Sequence, residues 1–113
     1  MRESKMMLVQ YATAVVALFL VGLHLLMQGV LVPYETAISF QRVLSVYRAP
    51  IDGSLLEILL LAVLAHGFNG LRVILLEWRQ TRTWTRAVNW VLLAALLISA
   101  AYGTRTIVLA VLR

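Results

Sequence analysis

The stretch MMLVQYATAVVALFLVGLHLLMQGVLV, Met6 to Val32, holds no Asp, Glu, Lys or Arg over 27 residues. At about 1.5 Å per residue such a helix crosses a ~30 Å hydrocarbon core with some tilt to spare. It is about twice the length of a signal-peptide h-region, and no small-residue cleavage pattern follows it. The stretch therefore reads as a transmembrane helix.

The rest of the chain follows the same plan. A second apolar run, Leu55 to Leu76, holds Glu57 near its start and Arg72 near its end. A third begins near Ala87 and passes Tyr102, where Arg105 interrupts it before Thr106 to Leu112 resumes. Of 113 residues, 62% are hydrophobic and 13% charged, against roughly 25% charged in soluble domains. Mean hydropathy is +0.89, and a water-soluble domain is excluded. Strand-like alternation is absent, which excludes a membrane β-barrel. The absence of cysteine excludes disulfides, thiolate metal sites, iron–sulfur clusters and Cys nucleophiles within the chain. There is no glycine-rich phosphate loop, no Ser/His/Asp set and no pair of carboxylates at catalytic spacing. The expectation is one all-α membrane domain with no bond-breaking apparatus of its own.

The sequence divides into a helix over 6–32, an outer connection over 33–54, a helix over 55–77, a basic inner connection over 78–86 and a helix over 87–112. In the outer connection Phe40, Val43, Leu44 and Tyr47 recur at helical spacing, with Arg42 and Arg48 opposite. That pattern predicts a short interfacial helix, closed by a turn and cap over Ala49-Pro50-Ile51-Asp52-Gly53. Net charge is +5 and the isoelectric point about 10.5. The basic residues lie between apolar runs and form no stripe, so they set orientation and do not suggest nucleic-acid binding. Arg79, Arg82 and Arg86 lie in the inner connection without an acid, and Arg2 and Lys5 oppose Glu3 at the N-terminus. Glu35 and Asp52 offset Arg42 and Arg48 outside. The excess places the N-terminus inside, although Arg105 and Arg113 pull the other way.

Ionisable groups in apolar spans are expensive and are usually there for a partner. His24 stands about 18 residues into the first span, about 27 Å from the inner surface. His66 stands about 11 residues before the inner end of the second span, about 16 Å deep. At different depths on different helices, the two cannot share one metal. Each is read either as an interhelical hydrogen bond or as an axial ligand of a b-type haem. Ala62 and Gly70, four residues either side of His66, leave room for a flat macrocycle or for close helix packing. Arg72, six residues on, is placed to meet a haem propionate or to snorkel to the interface. Glu77 shares the face of His66, eleven residues on, and Trp78 follows as a boundary aromatic.

The string His66-Gly67-Phe68-Asn69-Gly70-Leu71-Arg72-Val73-Ile74-Leu75-Leu76-Glu77-Trp78 resembles the second-helix signature of the small membrane anchors of succinate dehydrogenase. That signature is His-x-x-x-Gly-x-x-x-x-x-x-Asp-Tyr, often with Gly-Leu-Arg in the middle. The likeness is strongest to the D-like anchor of two-anchor, two-haem prokaryotic enzymes. It implies that His66 is an axial ligand of the haem b nearer the catalytic subunits, and that His24 serves a second haem nearer the outer face. The opposite ligands would come from a second, C-like anchor, so one or two haems would be shared between the anchors. Arg72 and Arg105 become candidates for contact with haem propionates or for tuning the haem surroundings, and Gly70 and Ala62 for packing against it. The family's Asp-Tyr pair lies by the quinone pocket. Here Glu77-Trp78 stands there, and Trp offers one N–H donor where Tyr has its hydroxyl.

The implied partners are a flavoprotein subunit, an iron–sulfur subunit, the second anchor and membrane lipid, with quinone as electron acceptor. The absence of a transit peptide points to a prokaryotic plasma membrane more than to the mitochondrial inner membrane. Three alternatives stay open at this point: the anchor of a quinol:fumarate reductase, a small transporter or channel subunit, and a haem-free structural anchor. The transporter reading lacks an inverted second half or a broken helix pair.

Overall fold

A computed structural model describes residues 2–112. Met1, Arg113 and the side chains of Arg2 and Glu3, which carry part of the charge asymmetry above, lie outside it. All regular structure among the described residues is helical. Helix α1 (Arg2–Leu25) runs into a π-helical turn (Leu26–Val30), and α2 (Tyr34–Ala37), α3 (Phe40–Arg48), α4 (Pro50–Trp78) and α5 (Arg82–Leu112) follow. The first helix with its π turn, α4 and α5 are each long and apolar enough to cross a membrane. The all-α, three-span reading is therefore correct. The molecule is 50 Å along its longest axis.

The helix starts at two connections differ from the sequence reading. The turn expected over Ala49–Gly53 shrinks to Ala49 alone, and α4 begins at Pro50. Proline suits the first helical position, where its missing N–H would have no partner anyway. Asp52 then sits in the first turn, where the helix dipole favours an anion. The reversal is so tight that a Cβ at Gly53 would lie 2.6 Å from the Tyr47 carbonyl oxygen. After α4, α5 begins at Arg82, well before Ala87. Thr81 caps it, its hydroxyl accepting from the Trp84 backbone N–H at 3.2 Å. Arg105 lies within the last helix, which continues to Leu112, the end expected from the sequence. Arginine is a good helix former, so a single one ends an apolar run without ending the helix.

Helix α4 is the middle of a row: α1 packs on one side, α5 on the other, and the backbones of α1 and α5 do not approach one another among the described residues. Helix α3 lies across α4 and α5. Its basic residues fasten it. Arg42 Nε donates to Gln28 Oε1 at 3.2 Å, and Arg48 Nε donates to the Ala110 carbonyl at 2.9 Å. Val46 is its one buried residue, whereas the expected apolar face of Phe40, Val43, Leu44 and Tyr47 lines a cleft against Arg105, Thr106 and Leu109. At the α4–α5 connection Trp84 Nε1 donates to the Leu75 carbonyl at 2.7 Å, satisfying an acceptor in the last turn of α4.

A row of three helices encloses little. Among the described residues the buried hydrophobic ones are Ala17, Leu20, Val46, Ala62, Val88 and Ala110, and no large side chain is fully buried. Leu18, Phe19, Trp90 and Ile98 are each at least 70% exposed. In water such a surface would drive aggregation; in a bilayer it faces lipid or other helices.

Candidate functional site

His66 lies in the α1–α4 seam, half-buried. Its Nδ1 is 3.3 Å from the Gln10 carbonyl oxygen and 3.4 Å from Thr13 Oγ1. The carbonyl can only accept. Thr13 has one hydroxyl proton, and its shortest contact, 2.7 Å, is to the Val9 carbonyl, so Oγ1 is left to accept from the ring. Two acceptors facing Nδ1 place the proton there. In the neutral ring Nε2 carries the lone pair, and Nε2 has no hydrogen-bond partner among the described residues. A neutral imidazole held through Nδ1–H with a free Nε2 is the form that binds a metal. No group of three or more His, Asp or Glu converges among the described residues. A single imidazole nitrogen of this kind is chemically suited to one axial position of a haem iron.

One turn on from His66, Asn69 Nδ2 donates to Gln10 Oε1 at 2.9 Å and to the Met6 carbonyl at 3.2 Å. A Cβ at Gly70 would lie 3.1 Å from Gln10 Nε2. In this chain, then, Gly70 admits the Gln10 amide: close helix packing is the use on display at that position. Ala62 is buried.

The same contacts set the register. His66 stands level with Gln10 and Thr13 of α1, which leaves His24 about 15–20 Å further along that helix. The two histidines are on different levels. His24 is half-buried and lines an open cleft of about 330 Å³ with Gln28, Ala37, Arg42, Val43 and Tyr47. Asp52 and Met27 approach it from the adjoining space. The π turn begins two residues later.

The other expected residues are more dispersed. Arg72 Nε donates to Asn89 Oδ1 of α5 at 2.7 Å, so its headgroup is turned toward a neighbouring helix. Arg105 is exposed, its guanidinium 6.0 Å from the Tyr102 ring centroid. Glu77 and Trp78 are both exposed at the C-terminal end of α4. Glu57 accepts from Thr104 Oγ1 at 2.6 Å, a polar tie between α4 and α5.

Sequence reasoning passed over Gln10, Thr13, Asn69, Asn89 and Thr104. All are uncharged polar residues inside or beside apolar runs, and Gln10 and Thr13 share a face at the three-residue spacing. That pairing was a visible signal.

No curated protein and no solved structure matches the chain. The family model of the succinate dehydrogenase/fumarate reductase transmembrane subunit matches residues 2–101. With nearly the whole chain matched and three helices able to span a bilayer, the protein belongs to the family of succinate dehydrogenase/fumarate reductase transmembrane subunits and is integral to a membrane.

Proposed function

We propose that this chain is a D-like anchor of a succinate:quinone oxidoreductase in which His66 Nε2 is an axial ligand of a haem b. The observation that carries this is the Nδ1 contact with the Gln10 carbonyl at 3.3 Å. It fixes the ring and leaves Nε2 for iron. A bound haem would supply a one-electron carrier of tunable potential within the membrane. The open α1–α4–α5 row supports a second anchor as the source of the opposite axial ligand, because the chain closes no bundle by itself.

His24, further out along α1 and facing a cleft, is the ligand for a second haem. Glu77 and Trp78, exposed where α4 leaves the membrane, stand at the edge of the quinone pocket. Arg79, Arg82 and Arg86 beside them favour an inner location in a prokaryotic plasma membrane, with the N-terminus inside. Electrons would reach that edge from flavoprotein and iron–sulfur subunits bound on the same side.

Purification through a tag on this chain from its native membranes tests the assignment. Flavin and iron–sulfur centres are expected to copurify, and the complex to reduce quinone with succinate faster than it reduces fumarate with quinol. The reverse preference makes the chain a fumarate reductase anchor. Absence of both subunits contradicts the proposal.

A further inference from the structure

We infer that Thr13 and Gln10 of α1 are positioning residues for His66, sharing its Nδ1 proton and so setting how strongly Nε2 donates. This rests on the haem reading above but adds residues that the signature string does not contain. Thr13 Oγ1 lies 3.4 Å from Nδ1 and the Gln10 carbonyl 3.3 Å, so the proton is shared between two acceptors. Thr13 is itself held by its bond to the Val9 carbonyl at 2.7 Å, which aims the oxygen's lone pairs away from its own helix.

The carbonyl is kept in place from the other helix. Asn69 grips the Gln10 side chain at 2.9 Å and the Met6 carbonyl at 3.2 Å. The missing side chain of Gly70 lets that amide approach. The α1–α4 register is thus fixed one turn from the imidazole, and a slip of one residue would carry both acceptors past Nδ1.

The chemical consequence has a sign. Acceptors on Nδ1–H push the ring toward imidazolate character and make Nε2 a stronger donor. A stronger donor favours the ferric state, so removing an acceptor moves the haem midpoint potential in the positive direction.

The test is potentiometric titration of the purified complex with Thr13→Val and Thr13→Ser variants, each normalised to flavin. Val keeps the shape and loses the oxygen; Ser keeps the oxygen and loses the methyl group. A positive shift, or loss of the b-type band, in Thr13→Val with wild-type behaviour in Thr13→Ser supports the inference. Two variants that both match wild type, or that shift alike, overturn it while leaving His66 as ligand. A wild-type complex with flavin but no haem overturns the haem reading itself.

Discussion

Arg72 donates through Nε to Asn89 Oδ1 at 2.7 Å, joining α4 to α5. Arg72, six residues and about 9 Å beyond His66 along α4, had two expected uses, a haem propionate or snorkelling to water. The structure shows a third, a charge-assisted bond to a neighbouring helix. It orients the guanidinium without excluding a further anionic contact. Asn89 is exposed, which limits the bond's strength. Asn89→Leu is expected to destabilise the α4–α5 pair by about 1 kcal/mol, read as a lower melting temperature of the complex in detergent.

Gly53 faces a fixed obstacle. The atom a Cβ would meet, at 2.6 Å, is the backbone oxygen of Tyr47, which cannot rotate aside as a side chain would. Gly53→Ala should cost about 1–3 kcal/mol by prising α3 from the start of α4. The assembled complex should be recovered in lower yield and melt earlier.

Trp84 closes the turn between α4 and α5. Its indole N–H serves the Leu75 carbonyl at 2.7 Å, and the Arg79 guanidinium lies 6.0 Å from its ring centroid. Trp84→Phe keeps an aromatic face but loses the donor, for an expected cost of about 1 kcal/mol. Faster amide exchange at the end of α4 would report it.

The spans were legible because a charge-free run from Met6 to Val32 has few other uses. The helix ends were less so, since hydropathy measures apolar character and not helix. Arg82 to Arg86 reads as a loop by hydropathy, yet the structure makes it the first turns of α5, capped by Thr81. Ala49-Pro50 reads as a break, yet Pro50 begins α4. At the site, His66 was visible as a costly polar group among apolar ones, but its partners on α1 were not. Which turn of α1 meets His66 depends on the register of two long helices, and that register is set by Asn69, Gln10 and Gly70 acting together.

Orientation can be read without disturbing these contacts, because the chain has no cysteine. Thr83→Cys, near the start of α5, should react only with thiol reagents that cross the membrane when these are applied to intact cells. Thr36→Cys, in the connection after the first span, should react with impermeant ones. Both positions are exposed. The opposite pattern would invert the topology.

The most direct measurement is a dithionite-reduced minus oxidised spectrum of the tagged complex, wild type against His66→Leu, with flavin and iron–sulfur content measured in each. A b-type α-band is expected in the wild type. In the variant the haem-to-flavin ratio should fall by one while both partner subunits remain. An unchanged band in His66→Leu, or no band in an otherwise intact wild-type complex, would contradict the assignment of His66 to haem iron.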